Sequence, residues 1–232
     1  MYKVTRTISR LSFFVFLPAS LFLFLSQCAQ PEQPAGPWER AREIVDRIKV
    51  PGIPSGSFSI LDFGGTGDGV TDNSEAFDRM IGACREQGGG RMIVPGGAYL
   101  VNGPIHLTSG MELHLQEGAL LIFGSDPADY LPVVLTSWEG TRCYNYSPFI
   151  YARGATDVAI TGKGEIDGNA ADTWNQWKYM QDPDKARIRR MNNEAVPLEE
   201  RIFGEGHYLR PHLIQFYECE RILVEDVTIT DS

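Results

Sequence analysis

Apolar residues near the start of the chain recur at helical spacing in two segments. After Pro37 they stand three or four positions apart with charged residues between them: Trp38, Ala41, Ile44, Val45 and Ile48. This spacing predicts an amphipathic helix that ends at Pro51-Gly52. A second helix is predicted from Asp72, which with Glu75 has the spacing of a capping box, to the glycines at positions 88–90. Its apolar stripe consists of Ala76, Phe77, Met80, Ile81 and Cys84.

From Arg91 onward the apolar period changes from 3.6 to two, in runs of three to five residues. Gly, Asp and Asn separate these runs, and no Asn-Gly or Asp-Gly pair joins two adjacent ones as a two-residue hairpin. Two later segments repeat one spacing: Ile150, Ala152, Val158 and Ile160 match Ile214, Phe216, Ile222 and Val224. Repeated coils of short strands predict a parallel β-helix, in which each coil buries its apolar face on the next. The two amphipathic helices are expected to cover its open end.

A long non-repeating stretch, residues 170–211, interrupts the coils and is rich in tryptophan, tyrosine and arginine. Insertions in a solenoid leave as loops on one face, which is often the binding face. We expect this insertion to border a ligand site, and a solvated excursion is the alternative.

The first residues have the features of an export signal. Residues 1–10 hold three basic side chains, and residues 11–25 form an apolar run that Pro18 interrupts. As a helix this run would span about 22 Å, short of a ~30 Å hydrocarbon core. We therefore expect residues 1–27 to be a signal peptide. Cys28 follows this segment, as the cysteine does in a bacterial lipoprotein box, although Gln27 stands where such a box usually has a small residue. We expect Cys28 to be lipidated, and soluble secretion is the alternative. Residues 28–37 are expected to be a proline-rich tether.

Composition and charge narrow the function classes. The 43% hydrophobic content excludes a wholly disordered chain. The net charge of −9 becomes −12 without residues 1–27, which argues against a nucleic-acid binder with a basic face. Cys84, Cys143 and Cys219 match no metal-binding spacing, so buried thiols are expected and a disulfide stays open. No metal or cofactor is expected.

Four motifs carry a family resemblance. They are Phe63–Asn73 (FGGTGDGVTDN), Gly89–Gly97 (GGRMIVPGG), Gly162–Gly168 (GKGEIDG) and Arg210–Ile214 (RPHLI). In this order they resemble the opening half of a polygalacturonase-type hydrolase of glycoside hydrolase family 28. The first two motifs are shared with pectate-lyase-like and rhamnogalacturonase groups, whereas the last two point to the hydrolases. The resemblance implies an all-β fold, a right-handed, pectin-lyase-like parallel β-helix that hydrolyses α-linked galacturonic acid polymers with inversion.

The family's catalytic motifs set a limit to this resemblance. Asn-Thr-Asp, Asp-Asp and Gly-His-Gly do not occur in the sequence, and Arg47-Ile48-Lys49 matches the fourth motif only by chance, on the first predicted helix. We expect the catalytic residues beyond Ser232, and residues 38–232 to be the amino-terminal part of the hydrolase domain, truncated on its carboxy-terminal side. The rivals are a pectate or rhamnogalacturonan lyase on the same fold and a non-catalytic β-helix such as an adhesin or tailspike.

Candidate substrate-binding residues come from the aromatic and basic positions. Trp138, Tyr144 and Tyr146 offer faces on which sugar rings stack, and Arg210 offers a fork for a uronate carboxylate. His207 is the nearest histidine candidate. The segment from Lys185 to Arg190 carries four positive charges, which would attract a polyanion locally. Asp167, between glycines, is interpreted as a turn residue that bonds nearby backbone amides.

These residues predict a pectic polysaccharide or oligogalacturonide as the partner. The full-length protein is expected to be a monomer that touches the membrane only through its lipid anchor. It is expected to lie in the bacterial cell envelope or to be secreted. The insertion is expected to block one end of the substrate cleft, which favours action on chain ends.

Overall fold

The computed structural model describes residues 36–171 and 173–232. The predicted signal peptide, Cys28 and most of the tether lie outside this range. The chain divides into two units, residues 1–46 and 47–232. Four α-helices occur in the described ranges: α1 (Pro37–Arg47), α2 (Ser74–Glu86), α3 (Trp174–Trp177) and α4 (Asp182–Asn193). None of the described helices is long and apolar enough to cross a membrane.

Residues 47–232 form three sheets in which all neighbouring strands are parallel. Sheet 1 contains β1 (Ser57–Ser59), β3 (Gly90–Val94), β6 (Met111–Leu115), β11 (Thr156–Gly162) and β15 (Glu220–Glu225). Sheet 2 contains β2 (Asp68–Asp72), β4 (Gly97–Val101), β7 (Ala119–Phe123), β12 (Glu165–Asp167) and β16 (Thr228–Thr230). Sheet 3 contains β5 (Ile105–Leu107), β10 (Ile150–Arg153) and β14 (Ile214–Tyr217). The predicted parallel β-helix is confirmed.

The repeat found in the sequence is the register of the last two coils. Ile150 pairs with Ile214 in sheet 3, and Val158 pairs with Ile222 in sheet 1. Side chains alternate between the two faces of a strand, so a spacing of two keeps these residues on one face; Ile150 and Val158 are fully buried, whereas Ile222, on the last described coil, is 40% exposed. In sheet 1, Leu113 stands between Met92 and Ile160, and all three are fully buried. Burying such a side chain stabilises the fold by about 1.5–3 kcal/mol.

Helix α2 packs on β1 and β3, and every residue of its predicted stripe is buried. The predicted capping box is wrong. The N-cap is Asn73, and Asp72 instead uses one carboxylate oxygen to accept bonds from the backbone N–H of Ser74 at 3.0 Å and of Asn102 at 3.1 Å. Glu75 pairs with Arg79 one turn later, at 3.2 Å. Asp72 thereby ties the start of the helix to the next coil. Helix α1 is described by itself, and none of its residues is buried.

Two insertions leave the coil at one corner, between sheets 2 and 3. The sequence did not predict a hairpin in the first, which connects β7 to β10 and contains the antiparallel strands β8 (Val134–Trp138) and β9 (Thr141–Asn145). Its two-residue turn is Glu139-Gly140, with φ of 44° and 80°, so Glu139 occupies the left-handed position that Asn or Asp usually takes. The second connects β12 to β14 and contains α3, α4 and β13 (Ile202–Phe203), which pairs with β9. The two insertions therefore build one wall.

Candidate functional site

A cleft of about 600 Å³ opens between this wall and the last coil. Its lining residues come from the end of the hairpin, from the second insertion and from the segment that enters β14: Trp138, Glu139, Phe149, Gly168, Ala170, Trp174, Gln181, Arg210, Pro211, His212, Leu213, Ile214, Ile229 and Ser232. The structure thus brings together Trp138 and Arg210, two of the predicted binding residues.

The cleft contains two buried donors that lack an acceptor. The Arg210 Nη1 donates to Asn175 Oδ1 at 3.3 Å, but the Arg210 Nε is buried and has no hydrogen-bond partner in the described part of the chain. The same holds for Nε1 of Trp174, a residue that is 3% exposed. Guanidinium and indole nitrogens can only donate, and a buried donor without a partner costs about 1–3 kcal/mol. Both residues line the cleft, but these two atoms are themselves sealed from solvent, so an acceptor in the cleft would meet the rest of the Arg210 guanidinium.

The local charge also favours an anion. Of the lining residues that the structure describes, Arg210 is the only one with a cationic side chain and Glu139 the only one with a carboxylate. Glu139 is neutralised by Arg189, at 2.7 Å. His212 is exposed and adds an imidazole at the cleft whose nitrogens can form hydrogen bonds.

The predicted aromatic residues separate in the structure. Trp138 lines the cleft, and the Lys185 Nζ lies 5.8 Å from its ring centroid, a cation–π contact. Tyr146 is 4% exposed and packs edge-on against Trp177, with the ring centroids 5.2 Å apart. Tyr144 is half-buried in β9, opposite Ile202. Neither tyrosine is among the lining residues, and Tyr146 belongs to the large buried core.

His207 lies in the second insertion and is not among the lining residues either. Its Nδ1 is 2.7 Å from Asp184 Oδ1, and its Nε2 is 3.2 Å from Arg187 Nη1. Both ring nitrogens are thus engaged within the wall. Sequence reasoning missed Asp184, because Asp182-Pro183-Asp184 has the composition of an ordinary helix start.

Two other lining residues were not predicted, although the sequence held a signal for each. Trp174 belongs to a Trp-x-x-Trp pair inside the insertion, and His212 belongs to the Arg-Pro-His motif.

The basic segment of α4 mostly holds the insertions together. Arg187 contacts His207, Arg189 pairs with Glu139, and Lys185 lies over Trp138. Arg190 is exposed. Three of the four charges that were expected to attract a polyanion are therefore engaged in contacts within the protein.

Asp167 is confirmed as a turn residue, since its Oδ1 accepts from the Asn169 N–H at 2.8 Å. Asp68 has the same role: hydrogen bonds from the Thr71 and Val70 backbone amides lower the pKa of its carboxyl. Within residues 36–171 and 173–232, no group of three or more His, Cys, Asp or Glu side chains is placed to hold a metal ion.

Comparison with known proteins gives a consistent set of relatives. A family profile described as "Rhamnogalacturonase A/epimerase, pectate lyase-like" matches residues 57–114. A probable polygalacturonase of Vitis vinifera is 30% identical over 185 residues, which cover 76% of this chain and 32% of that protein. An exopolygalacturonase of Zea mays is 25% identical, over 83% of this chain and 44% of that protein.

Among solved structures, a hyperthermoactive exopolygalacturonase from Thermotoga maritima is 46% identical, with a TM-score of 0.78, over 81% of this chain and 44% of that one. These similarities confirm the right-handed parallel β-helix. The chain spans less than half the length of each of these three proteins.

Proposed function

Starting from the homology of this chain to the polygalacturonase-type hydrolases of glycoside hydrolase family 28, we propose that the whole protein cleaves α-linked galacturonic acid polymers. The motifs that carry the family's catalytic carboxylates do not occur in these 232 residues. We therefore assign substrate binding, and not bond cleavage, to the cleft described above.

The observation that carries this proposal is the guanidinium of Arg210, which lines the cleft and pairs with no carboxylate in the described part of the chain. A uronate carboxylate offers two acceptor oxygens, and the guanidinium of Arg210, which lines the cleft, has a fork of donors that suits such a group. Trp138 adds apolar surface at the edge of the cleft, although it is only 8% exposed and the Lys185 Nζ lies over its ring. A neutral galactose residue lacks the carboxylate and would leave the Arg210 charge uncompensated. The cleft thus supports selection of acidic over neutral sugars.

The wall supports action on chain ends. The two insertions meet through the pairing of β13 with β9 and border the cleft. A substrate chain that enters such a cleft from one side stops at the wall, so we infer that the whole protein releases short products from chain ends. Products of intermediate length from long polygalacturonate at early times, measured by chromatography, would contradict this inference.

Replacement of Arg210 tests the binding role. Arg210→Ala is expected to weaken binding of trigalacturonate to the chain, measured by calorimetry, by about 1.5–3 kcal/mol, the usual contribution of a hydrogen bond to a charged group. In the active full-length protein the same change raises KM more than it lowers kcat, because the contact is made before the transition state. Arg190→Ala, which removes an exposed arginine of α4, is the matched control. An affinity unchanged in Arg210→Ala overturns the assignment.

We also propose that the protein is exported and anchored through a lipid on Cys28. The support is the basic and apolar order of residues 1–25 followed directly by this cysteine. Cys28→Ser is expected to move the protein from the membrane fraction to the soluble fraction of its host. Equal partitioning of variant and wild type would indicate cleavage at another site and soluble secretion.

A further inference from the structure

The segment that carries Arg210 is held by polar contacts to two buried side chains. The carboxylate of Asp184, a residue only 7% exposed, accepts from the His207 ring through Oδ1 and from the Tyr208 backbone N–H through Oδ2, both at 2.7 Å. The Asn145 Nδ2 donates to the Leu209 carbonyl at 2.9 Å. Three consecutive residues before Arg210 are thus fixed in direction.

The tautomer of His207 follows from its neighbours. Arg187 can only donate, so the Nε2 that lies 3.2 Å from its Nη1 must accept. The proton of the neutral ring is then on Nδ1 and points to Asp184. The carboxylate, the ring and the guanidinium form one chain of hydrogen bonds, with the negative charge at one end and the positive charge at the other. Such charge-assisted bonds are shorter and stronger than neutral ones.

The contacts of Asp184 also influence Trp174, through the packing of aromatic rings. The backbone N–H of Tyr208 donates to Asp184. The Tyr208 ring packs edge-on against Trp177, with the ring centroids 5.4 Å apart, and Trp177 packs against Trp174, with the centroids 4.9 Å apart. Trp174, like Arg210, lines the cleft. Movement of residues 207–208 would therefore displace both lining residues.

We propose that Asp184 is a positioning residue, which through His207 and Tyr208 sets the guanidinium of Arg210 and the indole of Trp174 for a uronate. The inference rests on the proposed binding function of the cleft. Asp184 does not touch the ligand and acts only through the residues it holds.

A double-mutant cycle tests this role, with trigalacturonate as the probe and the full chain as the protein. Asp184→Asn keeps the size of the side chain, but its amide nitrogen cannot accept, so one of the two bonds is lost. We expect about tenfold weaker binding, at the lower end of the effect of losing a charged hydrogen bond. Asp182→Asn, an exposed change in the same helical turn, is the matched control and leaves the affinity unchanged.

The cycle separates positioning from general destabilisation. If Asp184 acts through Arg210, the Asp184→Asn change in an Arg210→Ala background weakens binding much less than it does in the wild type. Independent, additive effects overturn the inference. If Asp184→Asn does not fold, His207→Gln, which leaves the Tyr208 bond in place, is tested in the same cycle.

Two further readouts sharpen the test. In the active full-length protein Asp184→Asn raises KM with little change in kcat, and an equal loss in both contradicts a positioning role. Nitrogen NMR of the neutral His207 ring is expected to show a protonated Nδ1 and an unprotonated Nε2. Wild-type chain that does not bind trigalacturonate refutes the proposed function; binding that depends on Arg210 but not on Asp184 refutes only the positioning role.

Discussion

The coils and the wall are stabilised in different ways. Inside the coils, apolar side chains stack on equivalent side chains of the next coil, as Met92, Leu113 and Ile160 do. The wall has a small separate core of five buried residues: Trp138, Cys143, Ile188, Phe203 and Leu209. Other residues of the insertions, such as Trp174 and Trp177, are buried in the large core, and polar contacts such as the bond between His207 and Asp184 hold the segment before Arg210. Arg210 therefore stands on a part of the fold that depends on single polar contacts, and such parts open at a lower free energy.

The largest expected effect is in the coils. Leu113→Ala removes a fully buried side chain from the middle of sheet 1 and is expected to lower the free energy of unfolding by about 2–5 kcal/mol, measured by urea denaturation. Leu120→Ala, at a half-buried position of β7, is the control and should cost clearly less. Equal losses for the two variants would show that stacking inside the coils is not the main source of stability.

A matched change in the wall should act locally. Ile188→Ala removes a side chain of similar size that is 1% exposed, but from the small core of the wall, which can collapse around the gap. We expect a loss near the lower end of the range, about 2 kcal/mol. Hydrogen exchange should rise in α4, β9 and β13 and stay slow in β6. Faster exchange in β6 would show that coils and wall unfold as one unit.

The smallest expected effect concerns an ion pair at the turns of the coils. The hydrogen bond from Arg221, together with one from the Gly52 N–H, lowers the pKa of Asp157 to about 2. An unfolded aspartate titrates near pH 3.9, so the stabilisation is present above that value and is lost as the pH falls through about 2. The melting temperature of Asp157→Asn should therefore fall less than that of the wild type between pH 5 and pH 2. The control is Asp226→Asn, an exposed change. Its melting temperature should fall between pH 5 and pH 2 by as much as that of the wild type.

The coils could be predicted because the spacing of their buried apolar residues repeats along the sequence. The spacing shared by the segments from Ile150 and from Ile214 is the register of sheets 1 and 3, and the stripe of α2 is its buried face. The wall could not be predicted in this way. The turn of its hairpin is Glu139-Gly140. Glu139 adopts a left-handed backbone conformation there, which the residue type glutamate does not predict.

The candidate site was predictable only in part. Trp138 and Arg210 were identified from the chemistry that a uronate requires, and both line the cleft. Tyr146 has the same chemistry but is covered by Trp177, which only the packing reveals. His207 and Asp184 meet across an irregular segment that has no period, so no spacing in the sequence predicts their contact.

The shared corner of the two insertions makes the fold modular. In the coil that contains β4 and β5, residues 102–104 alone turn this corner, whereas the two later coils place whole subdomains there, and the parallel pairing continues on both sides. Loop closure costs only about 0.6 kcal/mol for each doubling of length, so long segments are tolerated at this point. Because β13 pairs with β9, exchange between homologues would have to move both insertions together to carry a binding preference to another scaffold. Recombination at this corner offers a route by which a lineage can acquire new substrates while its coils stay unchanged.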